Sequence, residues 1–140
     1  MRVPTILVVD DDFPSRRTLA RILERAGHTV HEAADGDDGL RQASTRPLDM
    51  AIVDLMMPEK DGIETILELR RGYPEIAIIA VSGGGALGMG KDFLHVAVQL
   101  GADRVCQKPI EGEDLTAAIE ELLSSPQFAS AKSRARVGSE

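Results

Sequence analysis

Three stretches of this chain are apolar from end to end: ILVV at 6–9, MAIV at 50–53 and IAIIAV at 76–81. A strand with one wet face alternates polar and apolar residues. A strand that is aliphatic throughout has to be covered on both faces, as in a parallel sheet sandwiched between helices. The intervening segments carry the matching helical period. From Pro14 onward, Leu19, Ile22, Leu23 and Ala26 recur at three and four, and Gly27 stops that helix. Thr29–Ala33 reads as a second, half-polar strand. Asp35 or Asp37 caps a short helix around Gly39–Ser44, which Arg46 and Pro47 end. Ile63, Ile66, Leu67 and Arg70 share one face of a helix over 63–70, broken by Gly72 and Pro74. A glycine-rich stretch, GGGALGMG at 83–90, precedes a helix over about 92–100 that Gly101 closes. Asp103–Gln107 is a fifth strand. Asp114–Leu123 is a last helix, with Leu115, Ala118, Ile119 and Leu122 on one side.

Strand and helix therefore alternate over 1–124, with no internal repeat. The expected class is α/β: a doubly wound, five-stranded parallel sheet with five helices on its two faces, joined by right-handed crossovers. The pattern alone leaves strand order open. Residues 125–140 lack periodicity and read as a flexible C-terminal tail with no output domain; Lys132, Arg134 and Arg136 are too few to make a nucleic-acid arm.

Composition closes off several classes. Hydrophobic residues make up 43% and charged residues 28%, which excludes a disordered chain. No apolar run approaches the roughly 20 residues of a membrane helix. The first residues form no signal peptide, because Asp10–Asp12 interrupt the apolar stretch. The expected location is cytoplasmic, with no membrane partner. A net charge of −7 argues against direct nucleic-acid binding. The single cysteine, Cys106, allows no internal disulfide and reads as a buried, inert thiol on a strand. His28, His31 and His95 form no ligand motif.

In a doubly wound sheet, ligands and chemistry collect beyond the carboxyl ends of the strands. The first strand delivers Asp10 and Asp11 there, the third Asp54, the fourth Ser82 and the fifth Lys108. Adjacent carboxylates repel, and a cation that they share removes that repulsion. Mg²⁺ suits Asp10, Asp11 and Asp54, since it takes oxygen ligands and keeps several waters. A divalent ion, a hydroxyl and a fixed ammonium together suit phosphoryl chemistry, and a carboxylate can accept a phosphoryl group as an acyl phosphate. Asp54, at the end of a central strand, is the favoured acceptor. Taken singly, these residues have plainer uses. Asp12 suits a helix cap, Pro109 a helix start, and Met56 and Met57 core filling. There is no GxxxxGK[ST] loop, and the first turn does not carry GxGxxG.

Taken in order, VVDDD at 8–12, DLMMPEKDG at 54–62, Ser82 after an apolar strand, GAD at 101–103 and KP at 108–109 resemble the receiver domain of bacterial two-component response regulators. The resemblance runs from Ile6 to about Leu123. It implies a flavodoxin-like sheet of order 2-1-3-4-5. It implies that Asp54 is phosphorylated by a sensor histidine kinase or a histidine phosphotransfer protein. Mg²⁺ would be held by Asp10, Asp11, Asp54 and the backbone carbonyl of Met56. Ser82 and Lys108 would bind the phosphoryl group, Pro109 would follow a cis peptide bond, and the acyl phosphate would hydrolyse slowly. Such a domain is a switch rather than a turnover enzyme on small substrates. It acts through a downstream protein partner, as a monomer or weak homodimer.

Two departures stand out. Val105 occupies the position where relatives often carry an aromatic residue, and the stretch between Ser82 and Lys108 is longer than in many of them, through Gly83–Gly90. A partner surface is expected on the helix at 92–100, the fifth strand and the last helix, with Leu94, Val98 and Leu115 as contributors. The competing readings are a pseudo-receiver that never takes phosphate, a Mg-dependent phosphatase and a flavodoxin-like electron carrier. The phosphatase wants a D-x-D acid/base pair, but Leu55 and Met56 follow Asp54. The electron carrier wants aromatic cover, but Tyr73 is the only tyrosine and there is no Trp.

Overall fold

The computed structural model describes residues 3–55, 62–82, 95 and 98–124. Five strands, β1 (Thr5–Val9), β2 (Thr29–Ala33), β3 (Met50–Asp54), β4 (Ala77–Ser82) and β5 (Arg104–Gln107), form one parallel sheet of order β2-β1-β3-β4-β5. The helices are α1 (Phe13–Arg25), α2 (Gly36–Thr45), α3 (Gly62–Gly72), α4, described at 95 and 98–100, and α5 (Gly112–Leu123). This is the expected flavodoxin-like architecture and strand order.

The aliphatic strands owe their composition to two separate cores. Alternate side chains of one strand point to opposite faces. Leu7, Val9, Ala51, Val53, Ile78 and Ala80 pack on one face with Ala43 of α2 and Ile66 and Leu69 of α3. Ile6, Val8, Met50, Ile52, Ile79 and Val81 pack on the other with Leu19 and Leu23 of α1 and Leu115, Ala118 and Ile119 of α5. Fully burying each Leu or Ile contributes about 1.5–3 kcal/mol, which keeps both faces of the central strands apolar up to their carboxyl ends.

Local chemistry sets the helix ends. Asp12 caps α1, its carboxylate accepting from the Ser15 amide at 3.0 Å, with Pro14 in the first turn. The amides of Gly27 and His28 return to the carbonyls of Glu24 and Leu23, and Gly27 takes φ 97°, which only glycine adopts without cost. Asp35, the first of the two expected candidates, caps α2 by accepting from the Asp38 amide at 2.8 Å. Asp49 is buried before β3 and accepts from the Thr5 amide at 2.8 Å, which ties the starts of the two central strands together.

Arg70 fastens the opposite end of the sheet from Asp54. Its guanidinium donates to the carbonyls of Gly101, Pro74 and Ile76 and to the Asp103 carboxylate at 2.7 Å, which also accepts from the Ile78 amide. The C-terminal part of α3, the start of β4 and the turn into β5 thus share one side chain.

Several expectations need correction. The buried face of α3 is Gly62, Thr65, Ile66 and Leu69, with Ile63 beside it; Leu67 is only half-buried. On α1, Ala20 is buried, whereas Ala26 is an exposed cap. α5 starts at Gly112, so Pro109 does not open it; the Lys108–Pro109 peptide is cis, as the resemblance implies. Leu115 is fully buried, which removes it from any partner-facing surface, while Val98 is exposed. Cys106 is half-buried at the sheet edge rather than enclosed; burial pushes its thiol pKa up, against the pull of Arg104. The expectations for 125–140, for Gly83–Gly90, for Leu94 and for the Met56 carbonyl lie outside the described residues. Among the described residues, no helix is long and apolar enough to cross a membrane.

Candidate functional site

The order of the sheet brings the ends of β1 and β3 side by side, with β4 and β5 following on one flank. Asp10 leaves β1 fully buried, and its amide donates to the Ala33 carbonyl of β2 at 3.1 Å. Its Oδ1 accepts from the Asp12 amide at 2.9 Å. Asp11 is exposed at the rim. Asp54 is the last residue of β3 and only 6% exposed. Ligand oxygens of Asp10, Asp11 and Asp54 all lie within 4.8 Å of one another.

The cationic partner comes from β5. Lys108 Nζ lies 3.0 Å from Asp10 Oδ2 and 3.9 Å from Asp54 Oδ2, and its main-chain amide donates to the Ser82 carbonyl at 2.8 Å. Ser82 ends β4 and is buried. Asp10, Asp11, Asp54 and Lys108, four of the six residues singled out in the sequence, therefore meet at one rim. Ser82 is tied to the same rim through the Lys108 backbone; the sixth, Met56, lies outside the described residues.

Leu55 and Gly62, the described residues on either side of 56–61, are both held by main-chain hydrogen bonds. The Leu55 amide donates to the Val81 carbonyl at 2.8 Å, and the Gly62 amide returns to the Leu55 carbonyl at 3.2 Å. A Cβ on Gly62 would fall 2.1 Å from the Asp54 carbonyl oxygen, so only glycine permits α3 to start this close to the end of β3. Val105 is partly buried and packs on the α2–α3 side of the sheet.

Sequence reasoning missed one group. Arg16 of α1 donates from Nε to Glu32 Oε1 at 3.1 Å and from Nη1 to the Asp10 carbonyl at 2.9 Å, and Arg17 also pairs with Glu32. The available signal was weak: two arginines shortly after three aspartates, and one glutamate in a half-polar strand.

Three carboxylates gathered this closely, two of them buried, fit a hard divalent cation. Their donor atoms are all oxygen, and a shared cation offsets their mutual repulsion.

With this sheet order and this rim, the molecule is a doubly wound α/β domain with an acidic site at the carboxyl ends of its strands. The chain belongs to the response regulator receiver domain family, whose family model matches residues 6–120. It is 35% identical over 116 residues to the photosynthetic apparatus regulatory protein RegA of Rhodovulum sulfidophilum, covering 83% of this chain and 61% of that protein. It is 32% identical to the alkaline phosphatase synthesis transcriptional regulatory protein PhoP of Bacillus subtilis, covering 91% of this chain and 52% of that one. The chain thus spans between half and two thirds of the length of these curated relatives. Among solved structures, it is similar to a CheY-like receiver domain protein from Methanospirillum hungatei JF-1. The TM-score is 0.80 at 26% identity, over 95% of this chain and 99% of that one. The receiver domain of NtrX from Brucella abortus gives a TM-score of 0.78 at 28% identity, over 86% and 98%. Family membership sets the chain among two-component signalling modules rather than among enzymes that turn over small substrates.

Proposed function

We propose that Asp54 accepts a phosphoryl group from a phosphohistidine of a sensor histidine kinase or histidine phosphotransfer protein, and that the acyl phosphate switches a protein-interaction surface. The observation that carries this reading is the placement of the Asp54 carboxylate, at the end of a central strand, within 4.8 Å of two further carboxylates and 3.9 Å from Lys108 Nζ. Asp10, Asp11 and Asp54 would hold Mg²⁺, with the Met56 main-chain carbonyl as a fourth protein ligand. The ion supplies charge neutralisation for the oxygens of the transferring group.

This chain's own residues account for the rest. An Asp54 carboxylate oxygen forms the new O–P bond as the N–P bond to the donor imidazole breaks, and the imidazole leaves with the electron pair. Lys108 lies close enough to both Asp10 and Asp54 to transfer its ammonium from one carboxylate to the phosphoryl oxygens. The Ser82 hydroxyl, at the end of the adjacent strand, donates to the same group. Drawing Ser82 inward pulls on the segment that follows β4 and biases α4 and β5, where Val98 is exposed. Hydrolysis of the acyl phosphate resets the switch.

The test is incubation with acetyl phosphate and Mg²⁺, read by intact mass. The parent chain gains one phosphoryl group, and Asp54→Asn gains none at that position. An unlabelled parent would indicate a pseudo-receiver. Continuous release of phosphate from small phosphomonoesters would indicate a phosphatase. Label that persists in Asp54→Asn would mark another acceptor.

A further inference from the structure

The main-chain oxygen of Asp10 belongs to the peptide that joins the two members of the acid pair, and Arg16 Nη1 donates to it at 2.9 Å. The same guanidinium is bound from β2, where Glu32 Oε1 accepts from Arg16 Nε at 3.1 Å. Its side chain is only 13% exposed. The Phe13 ring centroid lies 5.3 Å from the guanidinium carbon, a cation–π distance. Arg16 is therefore held on three sides. Glu32 is fixed in turn by its strand, in register with Val8 of β1.

The two carboxylates depend on this differently. Asp10 has its own restraints: its amide on Ala33, Oδ1 on the Asp12 amide and Oδ2 on Lys108. Asp11 is exposed, so the direction of its side chain follows the orientation of the peptide before it. That peptide is the one whose oxygen Arg16 holds.

We propose that Arg16, braced by Glu32, is a positioning residue for the acid pair. It fixes the plane of the Asp10–Asp11 peptide so that both carboxylates face the same divalent cation. The proposal rests on the reading of Asp10, Asp11 and Asp54 as the cation-holding set. Charge and geometry predict opposite signs here. A guanidinium beside an acidic site lowers its affinity for cations by repulsion, so removing Arg16 strengthens binding if charge decides. Removing it weakens binding if orientation decides. Glu32, which Arg16 shares with Arg17, offsets part of the Arg16 charge, and orientation is taken as the larger effect.

The experiment is a Mn²⁺ titration of the full chain, followed by the paramagnetic resonance of the free ion, with Mg²⁺ as competitor. Parent, Arg16→Gln, Glu32→Gln and Asp11→Asn are compared, each with a thermal melt with and without Mn²⁺. Arg16→Gln weakens Mn²⁺ binding about tenfold, the usual scale for losing a group that orients a metal ligand. Glu32→Gln, which removes the brace and keeps the arginine, weakens it by less. At saturating Mg²⁺, labelling of Arg16→Gln by acetyl phosphate recovers to the parent rate.

Unchanged or tighter Mn²⁺ binding in Arg16→Gln overturns the proposal, and a lower melting temperature alone does not rescue it. If Arg16→Gln fails to fold, unchanged affinity in Glu32→Gln overturns it equally. A labelling deficit that persists at saturating Mg²⁺ assigns Arg16 another task and also overturns it. A parent chain that binds no Mn²⁺, or binding that Asp11→Asn leaves untouched, removes the cation-site reading itself. Parent binding that Asp11→Asn weakens, together with an indifferent Arg16→Gln, removes only the role of Arg16.

Discussion

Replacing Lys108 by methionine keeps most of the side-chain volume and deletes one positive charge from beside a fully buried carboxylate. Lys108 Nζ stands 3.0 Å from Asp10 Oδ2 and 3.9 Å from Asp54 Oδ2. With an effective dielectric constant of about 20, these separations correspond to gross attractions of about 4–6 kcal/mol each. Most of that is offset by the cost of taking both partners out of water. Removing one partner of such a pair nevertheless costs about 3–5 kcal/mol, because a buried charge is left without compensation. The Lys108 side chain is 23% exposed, which favours the lower end of that range. Lys108→Met should therefore lose about 3 kcal/mol of stability in urea unfolding without divalent ions. Added Mg²⁺ should narrow the gap, because a cation bound by the same carboxylates takes over the role of the lost ammonium. A tenfold tighter site in the variant corresponds to about 1.4 kcal/mol of extra stabilisation at saturation. The reasoning is refuted if Lys108→Met unfolds at the parent's urea midpoint without Mg²⁺, or if Mg²⁺ stabilises both proteins equally.

Two further substitutions examine the frame and the pH response. Gly62→Ala forces a methyl group to within 2.1 Å of the Asp54 carbonyl oxygen and 2.5 Å of Leu55 Cα, both backbone atoms that cannot swing aside. The expected loss is about 3 kcal/mol or more in urea unfolding, together with weaker Mn²⁺ binding as Asp54 is displaced. His28 carries a buried Nδ1 without a partner among the described residues, and burial holds its pKa below the ordinary 6.5, with Glu120 opposing. The folded state therefore favours the neutral ring. As pH falls through the ordinary value, the unfolded chain takes up the proton first, and stability is lost. The urea midpoint of His28→Gln should fall less than the parent's between about pH 7.5 and 5.5. His31, lowered by burial and by Arg46, retains part of the slope.

The sheet was legible because burial on both faces leaves a composition that little else produces. ILVV, MAIV and IAIIAV could belong only to covered strands, and the odd and even members of each fall into the two cores. The site was legible for a related reason: polar residues directly after such runs stand at the strand ends whatever the intervening helices do. Strand order was not in the pattern and came from the resemblance. The α3 face is ambiguous in the sequence because Leu67 and Leu69 are both compatible with a helical stripe; the structure buries Leu69 with Thr65 and Ile66. Taken alone, Pro109 suits a helix start, because a proline before an acidic helix usually is one, whereas the resemblance implies the cis peptide bond that is found. The hydrogen bond from the Lys108 amide to Ser82 instead keeps that step with the strand end. Arg16 escaped notice because its partners, the main-chain oxygen of Asp10 just after β1 and Glu32 on β2, lie 6 and 16 residues away.

The sheet order has a last consequence for the charges at the rim. Asp10 and Asp54 extend from interior strands, each gripped by a neighbour on either side, whereas Lys108 extends from a border strand of four residues with one neighbour. Negative charge thus sits on the stiff part of the scaffold and positive charge on the part that loosens most cheaply. Fraying of β5 would leave the acidic pocket intact but strip it of its built-in counterion, so the domain can alternate between tethered and diffusible neutralisation without unfolding its centre.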